Sequence, residues 1–259
     1  MQTITIQKNK LPEGWEVKRL GNLLKLQGGF AFKSEKFQKE GIPIIRISNL
    51  DDEKLNLGED VVYYPKERLD EFKDFVLEEG DILIAMSGAT TGKIGRVFKK
   101  NLPCLLNQRV GKFKIFDKKE LDLKFLFYFV KSPRFQKEIW DYVLGCAQSN
   151  ISGKHIEKIE ILLPPLQTQQ KIVQKLDAFF GSYNKLKQEK QKAKEKYERI
   201  FQSAIASLIP RDELLKGWEE KELKEVTEII MGQSPPSKTY NSDSKGLPFF
   251  QGKAEFGER

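Results

Sequence analysis

Hydrophobic and polar positions divide this chain into two regimes that meet at Pro164-Pro165. Before the two prolines, apolar residues come in short clusters separated by glycine, proline and charged turns. Residues 42–48 (IPIIRIS) form a β-branched run. Residues 76–87 (VLEEGDILIAMS) turn at Glu79-Gly80 and continue as an apolar strand. Residues 93–98 and 103–116 read as further strands, the latter alternating through Val110, Phe113 and Ile115, and residues 159–163 as a last one. Short apolar runs bounded by turn signals are the mark of strands. Residues 121–131 and 134–144 read as helices, with Pro133 where a helix start tolerates it. Strands with few helices among them predict an α+β domain built on a largely antiparallel sheet.

After the prolines the pattern changes. From 167 to 209 there is no proline, and Gly181 is the only glycine. Apolar positions fall at Ile172, Leu176, Phe179, Tyr183, Leu186, Ala193, Tyr197, Ile200 and Ala204. They are spaced by alternating fours and threes, with one double step across Lys190. That is a coiled-coil seam held for about five heptads. At 1.5 Å per residue the predicted helix is roughly 60 Å long. A lone helix cannot bury such a stripe by itself, so a partner helix from another chain or subunit is expected. The alternative is a lysine-rich helix packed on its own domain. Pro210 stops it.

The chain then begins again. LPEGWEVKRLGNLLKLQGG (11–29) is echoed 203 positions later by LLKGWEEKELKEVTEIIMG (214–232). Gly14, Trp15 and Glu16 realign with Gly217, Trp218 and Glu219, Leu20 with Leu223, and Gly29 with Gly232. A long-period self-match defines the unit. Three segments follow: a globular domain over 11–165, a long helix over 166–210, and over 211–259 the start of a second domain, too short to build the core of its counterpart.

Composition narrows the partners. The net charge is +8 and the pI about 9.2, which favours an acidic partner, nucleic acid foremost. Residues 167–209 hold nine Lys/Arg against four Asp/Glu, so much of the excess sits on the helix and fits a solvated face equally well. Cys104 and Cys146 are the only cysteines and His155 the only histidine, which leaves no tetrahedral zinc set. Two lone cysteines predict reduced thiols and a cytoplasmic setting. No apolar run is long enough to span a membrane, and MQTITIQKNK does not read as a secretory signal.

The chain resembles the specificity subunits of type I restriction-modification systems. The likeness runs through GWEVKRLGNL (14–23), LQGGFAFKS (26–34), IRISNL (45–50), GDILIAMSGATTGKIG (80–95), LNQRVGKF (106–113) and ILLPPLQTQQKIVQKL (161–176). Each motif is short. Their order, the seam that follows and the repeated opening extend the likeness over nearly the whole chain. It implies that the globular unit is a target recognition domain reading half of a split double-stranded DNA site. It implies that the long helices pair antiparallel, hold two such domains apart and bind methyltransferase subunits. It also implies a non-catalytic chain that binds no cofactor itself, with S-adenosylmethionine, ATP and magnesium on methyltransferase and restriction subunits. Full members of that family carry two domains and two helices. With one of each here, the resemblance points to a homodimer paired through Ile172, Leu176, Phe179, Tyr183, Leu186, Tyr197, Ile200 and Ala204.

Candidate contacts to DNA follow from residue chemistry. SGATTGKIG (87–95) is not a phosphate-binding P-loop: Gly88 and Gly92 stand one residue too close, and Ile94 follows Lys93 where Ser or Thr would hold magnesium. It reads either as a plain turn between strands or as a loop bringing Ser87, Thr90, Thr91 and Lys93 to a phosphate. Lys33 and Ser34, after Gly28-Gly29, are further phosphate candidates. Asn107, Gln108 and Arg109 carry side chains suited to base edges, Arg to guanine and the amides to adenine. On a strand, Gln108 would face away from the other two. Arg46 with Asn49 forms a second such pair, and Ser149, Asn150, Ser152 and Lys154 a third polar loop. LPPL (163–166) lacks the Asn or Asp and the aromatic of the amino-methyltransferase motif, and reads as a strand-to-helix junction. Three functions stay open: a DNA-specificity module, an interaction protein that occupies methyltransferase subunits without reading DNA, and an enzyme. The absence of a cofactor motif weighs against the last.

Overall fold

A computed structural model of the chain describes residues 11–51, 53–58, 61–145, 150–208, 219–232 and 236. Cα proximity divides the chain into two compact units, Met1–Lys187 and Gln188–Arg259. In the first unit the strands are β1 (Glu16–Arg19), β2 (Leu24–Gly28), β3 (Ile42–Ile45), β4 (Leu50–Asp51), β5 (Lys54–Leu55), β6 (Val62–Tyr64), β7 (Ile82–Ala85), β8 (Ile94–Arg96), β9 (Leu105–Leu106), β10 (Val110–Ile115) and β11 (Glu160–Leu163). The helices are α1 (Leu123–Lys131), α2 (Pro133–Leu144), α3 (Gly153–Lys158) and α4 (Leu166–Leu208), the last running on into the second unit.

The ILIA run at 82–85 sets the centre of the first unit. All four side chains of β7 are fully buried. Alternation sends Ile82 and Ile84 toward one apolar cluster and Leu83 and Ala85 toward another, as expected of a strand covered on both faces. Around it lies a four-stranded antiparallel sheet in the order β2-β10-β7-β8. One face is covered by α1, α2 and α3 through Leu126, Phe135, Ile139 and Ile156. The other meets a three-stranded sheet, β6-β3-β9, in which β3 and β9 run parallel and β3 and β6 antiparallel. A third cluster of Phe32, Ile42, Ile44, Tyr64, Phe72 and Leu105 closes the far side. Two ribbons, β1-β11 and β4-β5, complete the α+β architecture.

The helices start where the sequence provides for it. Asp122 accepts the Phe125 N–H at 2.9 Å and caps α1. Ser132 ends α1 and caps α2, accepting the Phe135 N–H at 3.3 Å, with Pro133 in the first turn. Three sequence readings are corrected. Residues 107–109 form a turn between β9 and β10, closed by the Val110 N–H on the Asn107 carbonyl at 2.9 Å. Strand alternation therefore does not apply there, and Gln108 and Arg109 are both exposed. Val110 lies in a different cluster from Phe113 and Ile115, because an even and an odd position on a strand face opposite ways. The loop read after Gly145 contains α3, which packs on β2 with Gly153 against Leu26 and ties the Glu157 carboxylate to the Leu26 N–H at 2.9 Å.

α4 begins directly after the two prolines and runs for 43 residues. Its first turns pack on the head through Gln169 and Val173, while residues 188–208 are exposed throughout. In the second unit, the described part of the repeated segment holds one short helix, α5 (Leu223–Val226). Leu223, Val226, Ile229, Ile230 and Met231 are exposed there, whereas Leu20, Leu23 and Leu26, the first-copy counterparts of Leu223, Val226 and Ile229, are core residues. Pro210 and residues 211–218 lie outside the described residues.

Candidate nucleic-acid interface

Three loops from distant parts of the chain meet where β7 ends. Met86 is the hub. Its N–H donates to the Arg109 carbonyl and its own carbonyl accepts the Ile151 N–H, both at 2.9 Å. One residue further, Ser87 pairs with Asn150 in an antiparallel bridge. The backbone of one rigid strand thus holds both the 107–109 turn and the 150–152 segment.

The Gly-rich loop is a closed turn. Thr91 donates its N–H and its hydroxyl to the Gly88 carbonyl, at 3.1 and 2.7 Å. The Gly92 N–H returns to the Ala85 carbonyl at 2.9 Å. Gly88 and Gly92 have φ of 77° and 89°, a region that glycine enters without strain. Gly92 sits against Gln136 and Ile139 of α2, and Gln136 Nε2 donates to its carbonyl at 3.0 Å.

The 107–109 turn is held from its other side. The Phe30 N–H donates to the Leu106 carbonyl and the Gln108 N–H to the Phe30 carbonyl, both at 2.9 Å. Gly29 makes this approach possible, because a Cβ there would lie 2.3 Å from the carbonyl oxygens of Leu106 and Asn107. This is the physical use of the second glycine in LQGGF.

Between the loops lies a cleft of about 700 Å³ lined by Met86, Ser87, Gly88, Gln108, Arg109, Asn150 and Ile151. Four of these, Ser87, Gln108, Arg109 and Asn150, are residues the sequence nominated from three separate motifs. Ser87 Oγ and Thr90 Oγ1 are buried and have no hydrogen-bond partner among the described residues. Buried hydroxyls in folded proteins nearly always have one. The cleft thus brings together the amides of Gln108 and Asn150, the Arg109 guanidinium and the Ser87 hydroxyl.

Other nominated residues have different roles. Asn49 is buried; its Oδ1 accepts the Arg46 N–H at 2.9 Å and its Nδ2 donates to the Asn56 carbonyl at 3.2 Å. Thr91 is buried in the loop turn described above. Both side chains are used inside the protein, which removes them from any surface contact. Arg46 is half-buried, and Lys93 reaches Asp51 at 3.8 Å. Asn107 is half-buried, with Oδ1 accepting the Arg109 N–H at 3.4 Å. Ser152 and Lys154 are exposed at the start of α3, where Ser152 Oγ meets His155 Nδ1 at 2.7 Å. Lys33 and Ser34 are exposed and do not line the cleft. Ser149 lies outside the described residues. Met86 and Ile151 were not singled out from sequence; both read as ordinary apolar residues, and only the backbone pairing reveals them as the frame. No cluster of potential metal ligands is found among the described residues.

On α4 the nominated seam is graded. Ile172 and Leu176 are half-buried beside the head, while Phe179, Tyr183, Leu186, Tyr197 and Ile200 are more than half exposed. Ala204 is exposed as well. Phe201, Ile205 and Leu208 add exposed apolar surface near the helix end that the seam did not include.

Residues 12–195 match the type I restriction modification DNA specificity domain. That stretch is most of the chain and takes in the whole cleft. The chain belongs to this family. It is 33% identical to the type I restriction enzyme MjaVIII specificity subunit of Methanocaldococcus jannaschii, over 74% of this chain and 46% of that protein. It is 36% identical to the EcoAI specificity subunit of Escherichia coli, over 69% of this chain and 30% of that protein. The crystal structure of the HsdS subunit from Thermoanaerobacter tengcongensis matches with a TM-score of 0.51 and 25% identity, over 96% of this chain and 64% of that one. The chain spans less than two thirds of the length of each. Within the specificity-domain family, then, the cleft at the end of β7 lies inside the stretch that defines membership. No helix among the described residues is long and apolar enough to cross a membrane.

Proposed function

We propose that this chain is a non-catalytic specificity subunit that reads duplex DNA through the cleft at the end of β7. The observation that carries the proposal is the convergence of Ser87, Gln108, Arg109 and Asn150, far apart in sequence, on one cleft. The chemistry suits a groove edge. Arg109 can address guanine O6 and N7, and the Gln108 and Asn150 amides can address adenine N6 and N7. The Ser87 hydroxyl and the exposed Lys154 and Lys33 side chains are suited to phosphates, which position the protein without reading sequence. Arg46 and Lys93 are placed for phosphate contact only after leaving their present surroundings.

The chemistry of modification and cleavage belongs in this reading to methyltransferase and restriction subunits, which bring S-adenosylmethionine, ATP and magnesium. The exposed seam of α4 serves pairing. Two copies joined antiparallel through Phe179, Tyr183, Leu186, Tyr197 and Ile200 would present two heads to a symmetric, interrupted site. The segment 211–259 would be the start of a second recognition domain.

The test is methylation mapping of DNA from cells carrying this gene together with a methyltransferase subunit. A single interrupted, symmetric motif is expected. Methylation without sequence preference would refute DNA reading, and an asymmetric motif would refute the symmetric pair.

A further inference from the structure

The contact between the head and the first turns of α4 is built in a way that reading bases does not require. Gln169 is fully buried and uses its whole amide group. Its Oε1 accepts the Asp122 N–H at 2.8 Å, and its Nε2 donates to the carbonyls of Glu120 and Pro164 at 2.8 and 2.9 Å. Two turns on, the Asp177 carboxylate accepts the Tyr128 hydroxyl and the Lys124 ammonium, each at 2.7 Å. The Phe180 ring then stacks on Tyr128 with centroids 5.7 Å apart and planes 9° from parallel.

At about 100° per residue, positions 169, 173, 177 and 180 occupy one arc of roughly 80° on the helix surface. The seam positions 172, 176, 179, 183 and 186 occupy the adjacent arc. The head and a partner helix therefore do not compete for the same face. An apolar face alone would let the helix roll and slide against the head. Directional hydrogen bonds at both ends of the contact remove that freedom, and fixing register is the best-attested use of buried polar groups.

We infer that the joint formed by Gln169, Tyr128 and Asp177 fixes the angle of the head on its helix and thereby selects the spacer length between the two half-sites. The inference rests on the paired, DNA-reading chain proposed above. The geometry sets the scale. A domain of this size has a radius of about 19 Å. A rotation of about 5° at the joint therefore moves its far surface, one diameter away, by about 3 Å, close to the 3.4 Å rise of one base pair. A joint loose by that amount would accept neighbouring spacers while its cleft still read the same bases.

The experiment uses the full chain with its methyltransferase subunit. The probe is a pool of duplexes carrying the mapped half-sites separated by every spacer across one turn of DNA. Wild type should methylate one spacer far above its neighbours. In Asp177→Ala and Tyr128→Phe the preference for that spacer should fall by about threefold or more, the range for side chains sharing a network, with the half-site sequences unchanged. Asp177→Asn, which can still accept from Tyr128, should fall between. Thermal melting of each variant confirms a folded head. A folded variant that loses methylation equally at all spacers, or keeps the wild-type spacer profile, would overturn the inference while leaving DNA reading intact. A wild-type protein indifferent to half-site sequence would overturn DNA reading itself, and this inference with it.

Discussion

Ser87 and Asn150, 63 positions apart, pair backbone to backbone in an antiparallel bridge at the mouth of the cleft. The bridge matters because β7, which leads into it, is fully buried and cannot shift without disturbing two cores. Side chains carried on such a frame keep their spacing better than side chains on a free loop. The cleft is therefore preorganised, and substitutions of its exposed side chains should change recognition without unfolding the head.

Arg109→Ala is the sharpest case. Arg109 is exposed, and its backbone carbonyl, which the substitution preserves, is what binds Met86. Discrimination at one position of the half-site should drop by about 1–3 kcal/mol, the worth of one bidentate base contact. Binding to duplexes randomised at that position measures it. An unchanged preference at every position would remove Arg109 from the readout.

Lys154→Ala should behave differently. A phosphate contact carries no sequence information, so affinity should fall alike for all duplexes. The slope of log affinity against log salt should become shallower by about 0.9, the value for one neutralised phosphate on B-DNA. Titrations at several salt concentrations separate the two outcomes.

The two glycines of LQGGF offer a paired stability test. A Cβ at Gly29 would meet two backbone oxygens at 2.3 Å, while a Cβ at Gly28 meets nothing within 4 Å. Gly29→Ala should destabilise the head by ~3 kcal/mol, the upper range for overpacking. Gly28→Ala should be nearly neutral. Denaturant unfolding of both variants checks the pair, and equal effects would contradict the close approach of Phe30 to the 107–109 turn.

Much of this was legible in the sequence because local signals and tertiary structure agree. The apolar run at 82–85 reads as a buried strand and is one, and the stripe from Ile172 onward reads as a helix and is one. Pro133 marks a helix start that the structure keeps. The cleft was legible only in pieces. Ser87, Gln108, Arg109 and Asn150 could be nominated by side-chain chemistry, but their convergence depends on bridges between residues tens of positions apart. Asn49 and Thr91 show the opposite limit. Their side chains are as suitable for bases or phosphates as any in the chain, yet local backbone groups capture them, and nothing in residue type separates the two fates. α3 escaped notice because six residues show less than two turns of periodicity.

The joint predicts a pH dependence with a defined sign. Hydrogen bonds from Lys124 and Tyr128 hold the Asp177 carboxyl below its ordinary value of 3.8. A carboxyl with a depressed folded-state pKa contributes stability above its unfolded pKa and loses it as pH falls through the folded value. Tyr128, pushed up to about 12 by burial and then by its bond to Asp177, contributes below its unfolded pKa and loses this as pH rises through about 12. Wild type should therefore melt above Asp177→Asn by a constant margin near neutral pH. That margin should shrink toward zero as pH falls below the ordinary carboxyl value of 3.8 and through the depressed folded value. The effect is modest, on the order of 1 kcal/mol or less, because both ion-pair partners are partly exposed. A margin that grows in acid would contradict the assignment.

Pairing through α4 gives the last prediction. Phe179, Tyr183 and Leu186 are 64, 54 and 64% exposed. They make no contribution to the core of the head, so their removal should leave its melting unchanged. In a pair, each would be buried against a second helix, and a fully buried side chain of this size is worth about 1.5–3 kcal/mol. Replacing all three by Ala should therefore convert a dimer to a monomer at micromolar concentration in sedimentation. It should also abolish methylation of the interrupted site while a high concentration of protein still binds an isolated half-site. Asp177→Ala makes the complementary comparison, since it lies on the neighbouring arc of the helix and should leave the dimer intact. If the triple variant sediments like the wild type, the exposed stripe faces some other partner, and the symmetric pair must be abandoned even though the cleft and its reading of bases would stand.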